Sequence, residues 1–271
     1  MEMDLIKSHW EELAKTRGET LGATTRTETI KKLEIDAFCR WIIKKNSNWT
    51  NILEIGCGNG TNCIELSKLF PEIHFYGLDY VEEMVVKAKE RAGGITNLTF
   101  GVDDVTVLNS SIAAGKKFNA IITDRCLINL NTTELQKNAI RNIFNHIEDG
   151  GYYFMIENSM DSYAKQNGLR QSVGLIKRSP AAFNCFLDDH MIMDFLQNEL
   201  SVYVEAIDNF ASLHDLMLYV IEPLKNNGEI SYGSEAINLV TEFLLKCGDY
   251  GINQFGDFGQ NRLYVLRKES K

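Results

Sequence analysis

The segment Ile52-Leu53-Glu54-Ile55-Gly56-Cys57-Gly58-Asn59-Gly60-Thr61-Asn62 runs from a short apolar stretch into three closely spaced glycines. Glycine there permits positive φ and lets a ligand approach the backbone without meeting a Cβ. The spacing is not that of a dinucleotide fingerprint, which needs glycine where Thr61 stands. Nor is it a P-loop, because no lysine follows the last glycine. Two acidic positions complete the pattern. Asp79 comes 23 residues after Gly56, where a carboxylate can accept hydrogen bonds from both hydroxyls of a ribose. Asp103-Asp104 can accept from an exocyclic adenine amine while the Val105 N–H donates to a ring nitrogen. Together they describe an adenosine site without phosphates.

Such a site needs strands that end at one edge, and the chain supplies them. Residues 27–43 carry Ile30, Leu33, Ala37 and Trp41 at helical spacing. Residues 50–56 read as a strand, 61–70 as a helix stopped by Pro71, and 73–78 as a second strand closed by Asp79. Residues 81–92 form a helix ended by Gly93-Gly94, and 97–102 and 118–123 two more strands, the latter apolar enough to be covered on both faces. A helix over 132–147, with Thr133 and Gln136 spaced as a capping box, leads through Asp149-Gly150-Gly151 to a fifth strand at 152–156. This alternation predicts an α/β fold, a doubly wound Rossmann-like parallel sheet with helices on both faces. Two further strands are expected at 201–211 and 262–267, each after a mostly helical stretch, 158–200 and 212–257. No Pro- or Gly/Ser-rich linker isolates them, so the chain reads as one domain: an N-terminal helical cap to residue 49, a core over 50–157, and two insertions forming a lid or substrate wall.

The core resembles the class I S-adenosylmethionine-dependent methyltransferases. The resemblance rests on Leu53-Glu54-Ile55-Gly56-Cys57-Gly58-Asn59-Gly60, on Gly77-Leu78-Asp79, on Asp104, on Phe118-Asn119-Ala120-Ile121-Ile122-Thr123-Asp124-Arg125, and on the strand after Asp149. It implies a seven-stranded sheet with an antiparallel last strand, S-adenosylmethionine as cofactor and no metal. It assigns Glu54, Gly56, Asn59 and Gly60 to the methionine part, Asp79 and Tyr80 to the ribose, and Asp104 and Val105 to adenine. Cys57, Gly58, Asn62, Asp103 and Asp124 complete the implied cofactor set. The family usually has Asp where Glu54 stands, or tolerates either, so Glu54 is a small departure from its pattern. More loosely, the segments starting at Asp124, Asp208 and Phe255 look like a bacterial branch associated with surface polysaccharide and small-molecule pathways.

Methyl transfer asks a protein to align a nucleophile with the donor and to keep water out. An alcohol acceptor also needs a base. Among the histidines, His74 reads as a core residue and His146 as a helix-end partner, which leaves His214, after the sixth strand, as the candidate base. Arg125 and Asn129, four residues apart at the same sheet edge, and Glu157, at the end of the fifth strand, are expected to bind the acceptor.

The chain of 271 residues carries 37 acidic and 28 basic side chains, a formal charge of -9, which disfavours nucleic acid and anionic lipid. It has three prolines, none adjacent to another or to a cysteine, so the Pro-Pro and Pro-Cys motifs of nucleic-acid methylators are missing. The expected acceptor is a small polar molecule: a sugar, a nucleotide-linked sugar or a phosphorylated metabolite, methylated on oxygen more readily than on nitrogen. Six scattered cysteines suggest reduced thiols and no zinc, and the acidic start with no long apolar run suggests a cytoplasmic protein. Two other classes stay open, a nicotinamide oxidoreductase and a silent adenosine-binding module.

Overall fold

A computed structural model describes residues 3–25, 27–200, 202–248 and 253–270. Ser201, where the sixth strand was expected to start, and residues 249–252 of the second expected insertion lie outside them. The elements are α1 (Met3–Arg17), α2 (Glu28–Lys45), β1 (Asn51–Ile55), α3 (Thr61–Leu69), β2 (His74–Asp79), α4 (Glu82–Ala92), β3 (Leu98–Val102) and β4 (Phe118–Asp124). They continue with α5 (Thr133–Asn145), β5 (Ile147–Asn158), α6 (Met160–Ser172), α7 (Asp189–Asn198) and β6 (Val202–Asp208). Last come α8 (Ser212–Leu216), which runs through a π-turn into α9 (Glu222–Lys225), then α10 (Glu235–Cys247) and β7 (Asn261–Lys268).

The seven strands form one sheet in the order β3-β2-β1-β4-β5-β7-β6. β7 runs antiparallel to both of its neighbours, and the other pairs are parallel, as expected. Alternate residues of each strand feed opposite cores. Leu53, Ile55, Ile121, Tyr153 and Leu266 meet α5 and α7 on one face. Ile52, Phe75, Ile122, Phe154 and Val265 meet α2, α3 and α10 on the other. At about 1.5–3 kcal/mol for each large apolar side chain removed from water, these two layers dominate the stability of the sheet.

Three local readings change. The N-cap of α5 is Thr132, whose hydroxyl accepts from the Leu135 N–H at 3.2 Å. Gln136 does not reach back to close a capping box; its amide donates to the carbonyls of Leu127 and Cys185. β5 starts five residues before the expected position, because Ile147 already pairs with Phe118; residues 148–151 then bulge before Tyr152 meets Ala120. Finally, α7 and α10 pack on the sheet through Phe195 and Leu196 and through Val240 and Leu244. Only parts of the two expected insertions therefore remain to face a ligand.

Candidate active site

The carboxyl ends of β1 to β4 open onto one cavity of about 620 Å³, roofed by α1, residues 22–25 and residues 178–186. Its floor begins at the glycine turn, where Gly56, Gly58 and Gly60 all take positive φ. The absent Cβ atoms serve the protein as much as any ligand. A Cβ on Gly56 would stand 2.6 Å from Cys126 Sγ, and one on Gly60 would stand 2.6 Å from Phe100 Cζ.

At one end lie Asp79, Tyr80, Asp103, Asp104 and Val105. Asp79 is 8% exposed and accepts from the Gly58 N–H at 2.7 Å and the Val81 N–H at 2.9 Å. Burial nevertheless pushes its pKa up to about 6. The two neighbouring acids divide their duties. Asp103 accepts the N–H groups of Asp104, Asn109 and Ser110 and so shapes its loop. Asp104 engages Thr106 through one oxygen, leaving the other without a partner among the described residues. The Val105 N–H likewise has no acceptor among them.

Beside the glycine turn sits a buried charge network with two charged members, Lys31 and Glu34, that sequence reasoning missed. Lys31 Nζ donates to Asp124 at 2.5 Å and pairs with Glu34 at 2.8 Å. Arg125 pairs with Glu34 at 3.1 Å and with Asp124 at 3.2 Å. Asn62 donates to both Glu54 and Asp124, and Cys63 donates to Glu54. Burial lifts Glu54 to about 7. Burial would also raise Asp124, but Lys31 and Arg125 outweigh it and hold that carboxyl far below its ordinary range. Three carboxylates face two cations, so with all five ionised the floor is one unit negative and suits a cationic ligand group. Lys31 and Glu34, three residues apart among the apolar positions of α2, were the legible signal of this network.

Beyond it, Arg125 sits at φ 55, a left-handed conformation unusual outside glycine. Asn129 donates to the Arg125 carbonyl at 2.9 Å, while its own Oδ1 has no partner. Both line the cavity, as do Glu54, Gly56, Cys57, Gly58, Asn62 and Asp124.

Four expected residues do not face it as supposed. Glu157 lies beneath the turn after β4, accepting from the N–H groups of Cys126, Leu127 and Ile128, and burial raises it to about 8. It holds the turn that carries Asn129 and is not an acceptor contact. Asn59 is fully buried; its amide donates to the carbonyls of Gly18 and Thr20, which fastens the N-terminal segment over the site. Gly60 packs away from the cavity, against Phe100 and Ala88. His214 is fully buried between Thr29 Oγ1 at 3.1 Å and Asp215 Oδ1 at 3.0 Å, which removes it as a base at the cavity surface.

Sequence reasoning also passed over the acceptor-side lining. His9 and Trp10 of α1 meet Phe183 across the mouth, with ring centroids 4.8 and 6.3 Å apart. Tyr163, Arg178, Asn184 and Tyr219 line the far end. No motif spacing marks these residues, since they converge from four separate segments. Among the described residues no group of His, Cys, Asp or Glu could hold a metal, and no helix is long and apolar enough to cross a membrane.

A doubly wound sheet with a glycine turn and acids gathered at the carboxyl ends of its strands, over one cavity, is the arrangement in which open α/β sheets bind nucleotide ligands. The methyltransferase domain profile matches residues 46–198, more than half of the chain, and the chain belongs to that family. A malonyl-[acyl-carrier protein] O-methyltransferase of Bacillus cereus is 33% identical over 100 residues, 37% of this chain and 34% of that protein. The alignment thus spans about a third of the length of the curated relative. Among solved structures, phosphoethanolamine N-methyltransferase 1 of Haemonchus contortus with phosphoethanolamine and S-adenosylhomocysteine has a TM-score of 0.62 at 13% identity, covering 99% of this chain and 49% of that one. The N-methyltransferase NodS of Bradyrhizobium japonicum, with S-adenosylhomocysteine, has a TM-score of 0.59 at 11% identity over 97% and 98% of the two chains. At these identities the structures speak for the fold alone.

Proposed function

We propose that this protein transfers a methyl group from S-adenosylmethionine to an oxygen of a small polar acceptor. The observation that carries the reading is the continuity of one cavity from Asp79 and Asp104, past the glycine turn, to Asn129 and Arg178. The residues fit the cofactor. Asp79 keeps lone pairs for two ribose hydroxyls, the free oxygen of Asp104 and the Val105 N–H match an adenine edge, and the Tyr80 hydroxyl is buried without a partner. The cofactor supplies a methyl group activated by a cationic sulfur. The negative floor around Asp124 and Glu54 favours that charge and the adjacent ammonium.

The protein's part is alignment and dryness. Asn59 clamps the segment behind α1, and His9, Trp10 and Phe183 close the mouth. At the acceptor end the available acids are engaged: Asp124 with Lys31 and Arg125, Glu157 with three N–H groups, Asp215 with His214 and the Gln260 N–H. A nucleophile that arrives already deprotonated needs no base, which favours an acid oxygen over a sugar hydroxyl. The carrier-bound acid named for the relative meets this condition. A neutral amine does too. An alcohol would have to draw on His9, the one histidine lining the cavity.

Calorimetry with S-adenosylhomocysteine tests the cofactor half. Binding that weakens in Asp79→Ala is expected; no binding at millimolar ligand, or binding untouched by that change, would refute it. Transfer of labelled methyl into a panel of carboxylic acids free and carrier-bound, nucleotide-linked sugars, phosphorylated metabolites and amines then selects the acceptor. Membership of the methyltransferase family weighs against the nicotinamide oxidoreductase, and a silent binding module would label nothing in the panel.

A further inference from the structure

The far end of the cavity holds positive charge that the protein leaves uncompensated. Arg178 donates through Nη1 to two neutral amide oxygens, Gln166 Oε1 at 2.6 Å and Gln260 Oε1 at 3.0 Å. Its guanidinium carbon lies 3.4 Å from the centroid of the Tyr219 ring and 5.4 Å from that of Tyr163. Among the described residues neither Nε nor Nη2 has an acceptor, and no carboxylate pairs with the group. Arg170, 4% exposed, is also without an acid: it donates to the carbonyls of Ile176 and Tyr219. Burial lowers its pKa, and the charge of Arg178 lowers it further, so the two cations feel each other.

The neighbouring acids do not relieve this. Asp215 is bonded through one oxygen to His214 and through the other to the Gln260 N–H. Asp257 is taken by Lys165 and Arg262. In a chain of net charge -9, a guanidinium that lines an open cavity without a carboxylate, backed by a second buried one behind it, is a site that a ligand completes. A second observation points the same way. Two residues of the cavity lining, Tyr163 and Asn184, each bury a polar atom, the Tyr163 hydroxyl and the Asn184 Oδ1, that has no hydrogen-bond partner among the described residues. Orphaned polar atoms carry a desolvation cost that a bound polar group removes.

We infer that the acceptor carries a compact acid group, a carboxylate or a phosphate, seated on the open Nε/Nη2 edge of Arg178 between the rings of Tyr163 and Tyr219. This rests on the methyltransferase reading and narrows its substrate class to acids. The planar fork accepts both oxygens of such a group at once, Arg170 adds long-range attraction, and the Tyr163 hydroxyl donates a further hydrogen bond. Stacking on Tyr219 fixes the guanidinium plane, so little side-chain freedom remains to be lost on binding.

The experiment is calorimetric titration of the S-adenosylhomocysteine-loaded protein with malonate, with inorganic phosphate and with the neutral isostere malonamide. At least one anion is expected to saturate while malonamide does not, and the tighter anion tells carboxylate from phosphate. Arg178→Gln should weaken that anion about 10- to 100-fold, the range for charge-assisted paired hydrogen bonds. Arg178→Lys should fall between, and Tyr163→Phe should lose only several-fold. Unchanged S-adenosylhomocysteine affinity in each variant shows that the fold persists. Absence of saturation by either anion at tens of millimolar, equal binding of malonamide, or full affinity in Arg178→Gln would each overturn the inference. Failure of S-adenosylhomocysteine to bind the wild type would instead remove the methyltransferase reading, and anion titration of the unliganded protein would still decide the role of Arg178.

Discussion

Binding of S-adenosylhomocysteine should weaken as pH falls, and Asp79→Asn should remove most of that slope. The carboxyl is buried at the end of β2, and its pKa of about 6 reflects burial that two backbone N–H donors offset only in part. Ribose hydroxyls donate hydrogen bonds to the ionised form, so the ligand selects it. With a pKa of 6, about one site in ten is ionised at pH 5 and nearly all at pH 8, so the dissociation constant should rise about tenfold across that window. That corresponds to roughly 1.4 kcal/mol. Calorimetry in two buffers of different ionisation enthalpy should also register nearly one proton released per ligand at pH 5. Glu54, lifted to about 7, contributes its own slope in both proteins, so the comparison with Asp79→Asn isolates the aspartate. Equal slopes in wild type and variant, or no proton release at pH 5, would refute the assignment of Asp79 to the ribose.

Three further outcomes follow from the geometry. Lys31→Met leaves buried Asp124 and Glu34 to share the single cation Arg125 and should cost about 3–5 kcal/mol in urea unfolding at pH 7. Asp124 is an acid of depressed folded pKa, so its contribution is present above its unfolded pKa near 4 and the cost should shrink as acid protonates it; a loss below 1 kcal/mol at pH 7 would contradict the network. Gly60→Ala meets both a left-handed φ and Phe100, whereas Gly115→Ala meets a positive φ with nothing within 4 Å. The first should therefore lower Tm clearly more than the second, and equal losses would mean that packing at Gly60 is unimportant. Glu157→Gln should be mild near pH 7, because the native carboxyl is already largely protonated with a pKa of about 8. A raised folded pKa gives stability that is full below the unfolded value near 4.5 and fades as pH rises through 8, so the variant should have a flatter Tm profile between those values. Parallel profiles would refute the assignment.

The cofactor half of the site was legible because it is local. Glycines must sit where the backbone takes positive φ, and the acidic positions must follow strands at fixed distances; the alternation of 2 and 3.6 periodicities locates those strands. Glu54, Gly56, Asp79 and Asp104 therefore fall on one cavity as their spacing suggested. Local pattern does not say which face a polar side chain turns to. Asn59 and Glu157 stand beside the site in sequence, yet their amide and carboxyl satisfy buried backbone groups, because an unmet carbonyl or N–H in the interior costs more than a ligand contact would gain.

The sequence by itself determined the strand and helix order, the doubly wound sheet, the glycine turn and the acids placed around it, since each follows from backbone preference and hydrophobic period over a few residues. Tertiary structure alone decided that Lys31 of α2 lies beneath the turn, that His214 is locked between Thr29 and Asp215, and that Arg178 meets Tyr163 and Tyr219 across separate segments. Those contacts join residues far apart along the chain. They are set by how the helices covering the sheet are packed and by which charges burial leaves without a partner, and neither has a period that a sequence can display.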